Sequence, residues 1–568
     1  MTSLSLWQRS FGRSLCAIVI LSGTLAFAPS SYWSNHGIVA SDHGLAADAG
    51  AEILAKGGNA VDATIASVLA AGVVQIAGSG LGGGGFALVD DPSDSQMGPF
   101  VLDFRERAPS NAHRNMYVES TVDKASRYGG LAVAIPNEAN GLVELHRRKG
   151  SLPLKTIAKP AIRLAKSGFR IETHLLHAFG KLGDVQTQNQ VARSLWNMDK
   201  PTQGTTITHP RLAKTIQAWA KTEGEVFRTG WVAADIVQTV QSEGGILTLE
   251  DMASVETKER SLLEGSYRGW KVYTMPPPSS GGLVILQVLK VLEEIDLSTY
   301  GQNSSELLHL YAETFQHAFA DRANYMGDPD RVEVPIERLL SAERIQDISQ
   351  SFTPDQTQSR DFYGTPVEIG QDAGTQHIAV VDKDGMSVSL TTTINTEFGS
   401  RVVGNRSGVL LNNEMDDFVA EPGKANYYGL IGSEANSVAP KAVPLSSMSP
   451  TILVSPDGKE RIVIGASGGP LIITSTLQTL INIIDFGLEP SVANSRGRIH
   501  HQWVPEKLFI DDEIPSDVRD GLIAKGHQLF PMPLHSSVQV VHCQQSPQDT
   551  WDCLGASDPR KGGRPAGF

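Results

Sequence analysis

Residues 372–394 read DAGTQHIAVVDKDGMSVSLTTTI. The DKDG at 382–385 is a hairpin turn signal: a type I turn with Gly385 in the left-handed position of a three-residue loop. That turn pairs Asp382 with Met386, and therefore Thr375 with Thr393. Strand alternation puts Thr375, His377, Ala379 and Val381 on one face, opposite Thr393, Thr391, Ser389 and Ser387. Ile378 and Val380 share the other face with Val388 and Leu390. One face is apolar and the other is lined with hydroxyls, which in an arbitrary protein is most simply a solvated surface. A threonine hydroxyl is a poor nucleophile until a base takes its proton. One remedy makes it the first residue of a chain, so that its own α-amine is the base. Here that requires a cut between Gly374 and Thr375. The polar stretch TPDQTQSRDFYGTPVEIGQ (353–371) reads as a flexible, exposed segment just before that bond.

Working outward, residues 38–74 suggest a short strand and two Ala-rich helices separated by Lys56-Gly57-Gly58-Asn59. The glycines end the first helix and Asn59 caps the second. GSGLGGGGFALVDD is a glycine-rich loop running into a strand. It lacks the Lys-Ser/Thr ending of a phosphate loop, so nucleotide binding is excluded. The strand FVLDFRERAP carries Arg105. Residues 140–350 look mostly helical, and the chain after 372 is rich in strands until the long helix of LIITSTLQTLINIIDFG. The class is α/β or α+β with much antiparallel sheet.

The chain has 568 residues, 40% hydrophobic and 19% charged, with net charge −14. No Lys/Arg-rich block occurs, which argues against a nucleic-acid partner. Arg9 and Arg13 precede the apolar run 14–28, which has the form of a secretory signal peptide and implies a periplasmic or extracellular protein. An uncleaved membrane anchor is the competing reading of the same run. Of three cysteines, Cys16 lies inside the signal. Cys543 and Cys553 flank QQSPQDTWD and suit a local hairpin disulfide in an exported protein, with two reduced thiols as the alternative. No Cys/His cluster has metal-ligand spacing, and the adjacent His500 and His501 are a weak pair.

Several blocks together resemble the γ-glutamyltransferases (glutathione hydrolases), N-terminal-nucleophile enzymes that cut themselves into two subunits. GTQHIAVVDKDG, TTTINTEFGSRVV, GVLLNNEMDDF, PLSSMSPTILV and GASGG look, in order, like their small-subunit motifs. ADAGAEILAKGGNAVDATIAS, GLGGGGF, DFRERAP, MPPPSSGGL and ADRANYMGDPD resemble the large subunit, and SDPRKGGRPAGF the C-terminus. The resemblance implies an α+β fold, a four-layer αββα sandwich formed jointly by the two subunits. It implies a signal at 1–28, a large subunit at 29–374 and a small subunit at 375–568, paired as a heterodimer. By the same resemblance Thr375 is the autoprocessing residue and nucleophile, and Thr393 hydrogen-bonds it. Asn395, Glu414 and Asp417 hold the α-amino end of a glutamyl group. Arg105 with Ser446 and Ser447 holds its α-carboxylate, and Gly468 and Gly469 form the oxyanion hole. Tyr428 aligns with a lid tyrosine, with Tyr427 one residue away from the same role.

The chemistry is consistent with those assignments. A γ-glutamyl group is a zwitterion, so it needs a cation for its carboxylate and acidic acceptors for its ammonium. Pro470 after the oxyanion glycines departs from the family pattern, as does IPNEANGL (135–142), which lacks a glycine after its proline. The implied activity is cleavage of γ-glutamyl amides such as glutathione through a γ-glutamyl-Thr375 ester. The acyl group then passes to water or to an amino acid or peptide amine, and no metal or organic cofactor is implied. Alternatives are the same machinery acting on a glutaryl-cephalosporin or on poly-γ-glutamate, and a binding protein that holds a glutamyl compound uncut.

Overall fold

The computed structural model describes residues 30–94, 96–363, 374–420, 426–427, 430 and 432–568. The hairpin has the expected register. Gly385 N donates to Asp382 O at 3.1 Å, Asp382 N to Met386 O at 3.1 Å, and Gly385 has φ +86°. Strands Gln376–Asp382 and Ser387–Thr393 then pair His377 with Thr391, Ala379 with Ser389 and Val381 with Ser387.

This hairpin is the centre of a seven-stranded sheet. Gly37–Ser41 lies on one side, and Gly84–Asp90 and Phe100–Phe104 on the other, all antiparallel to their neighbours. A second seven-stranded sheet has Glu460–Ser467 and Ser537–Gln545 at its middle and packs face to face on the first. Helices cover the outer faces, giving four layers, αββα. On the first sheet Ile378, Val380, Val388 and Leu390 join one core with helix Ala60–Val74. That helix is buried on every side, and Asn59 starts it with a full capping box closed by Asp62. On the second sheet lie helices Gly281–Glu293 and Leu471–Ile484.

The hydroxyl-lined face is not solvated: it forms the seam between the two sheets. Ser389 Oγ donates to Ile464 O at 3.0 Å and accepts from Thr451 N at 3.1 Å. His377 Nδ1 lies 2.9 Å from Thr391 Oγ1, and burial pushes the imidazole down to about 3, so it stays neutral. A Cβ on Gly465 of the facing strand would come within 2.3 Å of that ring. Period-2 alternation separates two faces but does not say which is wet. In a two-sheet sandwich both are buried, and polar atoms are tolerated between the sheets because each finds a partner.

Cys543 and Cys553 stand opposite each other on paired strands and form a disulfide. They lie within the strands of a hairpin and not in its loop. Among the described residues no helix is long and apolar enough to cross a membrane. The run 1–28, residues 364–373 of the segment before Thr375, and Tyr428 lie outside the described residues.

Candidate active site

Thr375 stands at the mouth of the hairpin, just before its strand begins, and is 6% exposed. Its Oγ1 lies 3.0 Å from Thr393 Oγ1, the contact expected from the turn. Thr393 Oγ1 also accepts Asn395 N at 2.8 Å, so the pair is tied to the next loop. The backbone here is unusual. Thr375 has φ +86° and Gly374 φ +109° in the uncut chain. Positive φ is an outlier for a β-branched residue. Thr375 N donates to Gly78 O at 3.1 Å, which helps hold that conformation. A Cβ on Gly374 would fall 1.8 Å from Asn395 O. Glycine is therefore required at 374 by a close backbone approach, a reason the sequence did not show.

One cleft is lined by Arg105, Thr375, Thr393, Asn395, Glu414, Asp417, Ser446, Ser447, Gly469 and Pro470, with Leu430, Leu445, Met448 and Ile472 as apolar walls. Nearly all the candidate residues meet there, although they come from distant parts of the chain. Gly468 stands one residue behind, with φ +128° and its Cα hydrogens against Ser536. Gly469, with φ +55°, lines the cleft itself, and Pro470 takes the N-cap position of helix Leu471–Ile484. Proline is pre-shaped for a helix start and gives up only an N–H that the helix would not use.

At the other end Arg105 follows the edge of strand Phe100–Phe104 and is almost wholly buried. It is hydrogen-bonded to Glu414, and its Nη2 donates to Asp417 Oδ2 at 2.6 Å. Burial would lower the guanidinium, but Glu414, Asp417 and Glu106 more than offset it and hold Arg105 charged. Burial raises both Glu414 and Asp417 despite that cation. The guanidinium and the two acids are thus already paired with each other. Ser446 Oγ accepts Met448 N at 3.1 Å, whereas Ser447 Oγ and Glu414 Oε2 are buried and have no protein partner. Asn395 Nδ2 donates to Asn413 O at 3.0 Å.

Three residues of this neighbourhood were not singled out from sequence. Gly78 supplies the carbonyl that holds Thr375. Glu106 lies beside Arg105, and Glu138, at the start of helix Glu138–Lys149, accepts Thr392 Oγ1. For Glu106 the signal was present in DFRERAP, adjacent to the arginine. Near the unplaced Tyr428, Tyr427 N donates to Asp416 Oδ2 at 2.9 Å and its ring faces Arg127. Among the described residues His309, Glu313 and His527 form the one cluster with ligand atoms close enough for a metal. Its atoms are already engaged: the two imidazoles bond each other at 2.7 Å, and Glu313 accepts Thr357 and Tyr363.

An αββα sandwich with a threonine hydroxyl at the strand edge of its seam is the architecture of the N-terminal-nucleophile hydrolases. The family profile described as Gamma-glutamyltranspeptidase matches residues 46–568, and the chain belongs to that family. It is 38% identical over 537 residues to the glutathione hydrolase proenzyme of Escherichia coli (strain K12), covering 93% of this chain and 91% of that one. To the glutathione hydrolase proenzyme of Bacillus subtilis (strain 168) it is 34% identical over 556 residues, 92% of each. Among solved structures, cephalosporin acylase from Bacillus halodurans superposes with a TM-score of 0.84 at 25% identity, over 96% of this chain and 98% of that one. Helicobacter pylori gamma-glutamyltranspeptidase gives 0.53 at 34% identity, over 56% of this chain and 91% of that chain.

Proposed function

We propose that this protein is an exported, self-processing γ-glutamyltransferase and glutathione hydrolase. The observation that carries the reading is one cleft with the Thr375–Thr393 hydroxyl pair at one end and Arg105, Glu414 and Asp417 at the other. Thr375 Oγ1 attacks the Gly374 carbonyl, the C–N bond breaks, and Gly374 passes to the hydroxyl as an ester. Water hydrolyses that ester, leaving a free carboxylate on Gly374 and a free α-amine on Thr375. The subunits are then 29–374 and 375–568, after removal of 1–28 as a secretory signal into the periplasm or medium.

In the mature enzyme the Thr375 amine takes the Oγ1 proton as the hydroxyl attacks a γ-amide, and gives it to the leaving amine. Backbone N–H groups at Gly468 and Gly469 receive the oxyanion. Thr393 holds the nucleophile in line. The α-carboxylate lies on Arg105 with the Ser446 and Ser447 hydroxyls, and the ammonium on Glu414, Asp417 and Asn395. Water or an amine resolves the γ-glutamyl ester.

Buried acids beside Arg105 are useful only to an acyl group that carries an α-ammonium. A glutaryl group has none, so these residues favour γ-glutamyl donors over a glutaryl-cephalosporin. The test is a denaturing gel of purified protein with N-terminal sequencing of each band, and glutathione set against a glutaryl-cephalosporin and poly-γ-glutamate. A new N-terminus reading TQHIAVV and preference for glutathione are expected. A stable single chain, or preference for either alternative, overturns the reading.

A further inference from the structure

Three carboxyl groups crowd one guanidinium in the cleft, and a fourth lies close to one of them. Arg105 touches Glu414 and Asp417 directly, and Glu106 Oε2 lies 3.8 Å from its Nη1. Glu138, bonded to Thr392, is raised by its own burial and further by the charge of Glu106. The next cation is Arg322, which gives its Nε to Ser280 at 2.9 Å and acts on Asp417 through space. Two cations cannot balance four anions of which Glu106, Glu138 and Glu414 are fully buried. An unpaired buried carboxylate costs several kcal/mol, so this cluster must hold protons at neutral pH.

Glu106 is the group placed to keep one. It is fully buried, and neither carboxylate oxygen receives an N–H or O–H from the rest of the protein. Its polar neighbour is the Glu414 carboxyl, with which it can share a proton. The chain makes room for it: a Cβ on Gly84 would meet Glu106 Oε2 at 2.6 Å. This gives GLGGGGF a reason unrelated to phosphate. Gly84 begins the strand beside Thr393, and a side chain there would meet the Phe104 carbonyl at 2.5 Å as well as Glu106. Burial pushes Glu106 up to about 7, against the pull of Arg105.

We propose that Glu106 is a positioning residue that works as a neutral acid: when the substrate ammonium meets Glu414, the shared proton resides on Glu106 and Arg105 is left to the α-carboxylate. The step conserves charge. One proton moves from Glu414 to Glu106, and no bond in the substrate changes. The proposal rests on the γ-glutamyl reading above. Its consequence is directional. Below about pH 7 Glu106 keeps a proton and the zwitterion binds. Above it Glu106 becomes a third anion competing for Arg105, so KM rises with pH while kcat, set by Thr375 at the far end, does not follow.

The test is the pH profile of KM and kcat for L-glutamic acid γ-(4-nitroanilide), compared between the wild type and Glu106→Gln. Glutamine copies the neutral acid. Its KM should stay within about threefold of the acid-limb wild-type value and remain flat to pH 8.5, while wild-type KM climbs by up to about tenfold per pH unit. A wild-type climb that persists in Glu106→Gln overturns the proposal. A second measurement needs only the wild-type enzyme: calorimetry of L-norvaline, which carries the amino-acid head alone, at pH 8 in phosphate and in Tris. Uptake of about half to one proton on binding is expected, and no uptake overturns it. Failure to turn over any γ-glutamyl amide overturns the γ-glutamyl reading and this proposal together. Turnover without the Glu106-dependent limb overturns this proposal alone.

Discussion

The two ends of the cleft are built in opposite ways. At one end Thr375 and Thr393 meet across 18 residues of chain, through a single tight hairpin. At the other, Arg105 meets Glu414 and Asp417 across 309 and 312 residues. The hydroxyl end needs only a turn and a register, whereas the ionic end needs the whole sandwich to close. The hydroxyl end is neutral and fully hydrogen-bonded. The ionic end is crowded with carboxyls, and buried polar atoms without a protein partner remain on Ser447, Glu106 and Glu414. Chemistry is thus placed on local structure, while recognition is placed where burial makes charge expensive and therefore selective.

The comparison breaks most visibly at Thr375. Thr375→Ala should leave one uncut chain and lower glutathione hydrolysis by at least about 10³-fold, read on a gel and in an assay. Normal cleavage in that variant would remove the hydroxyl end from the mechanism. Arg105→Gln comes next, because it strands two buried acids. Removing one partner of a buried pair costs about 3–5 kcal/mol, which should appear as a rise in KM of about 10² to 10³-fold with cleavage at Thr375 retained. A loss confined to kcat would contradict the division between the two ends. Thr393→Ala removes a hydroxyl that serves both Thr375 and Asn395 N. A loss of about 1–3 kcal/mol should slow maturation and kcat by roughly ten- to a hundredfold, and Thr393→Ser should restore both. The smallest effect on activity belongs to the disulfide on the second sheet. Replacing Cys543 and Cys553 together by serine should lower unfolding free energy by about 2–3 kcal/mol, from the short loop it closes, with kcat and KM unchanged. Denaturant titration of the mature enzyme checks this.

Much of this was legible in the sequence because the signals were local. DKDG carries its own turn geometry, Asn59 its own cap, and Cys543 and Cys553 fall opposite each other once a hairpin joins them. What failed to show has a common cause. Strand alternation alone leaves open whether water or protein covers the hydroxyl face, and the second sheet covers it. Nothing around Gly374 in the sequence signals that the carbonyl of Asn395 excludes a side chain there. Glu106 stood in plain view beside Arg105, but nothing in DFRERAP says that three more carboxyls converge on it.

The sequence alone determined the hairpin, its register and hence which threonine faces Thr375, because turn chemistry and strand alternation act over a few residues. Only the tertiary structure decided that Arg105, Glu414 and Asp417 pair with one another, that Glu106 is walled in against Gly84, and that the seam between the sheets is polar. Those facts depend on burial, and burial is a property of the closed sandwich: a carboxylate is ordinary in an extended chain and becomes a proton store only when water is excluded from around it.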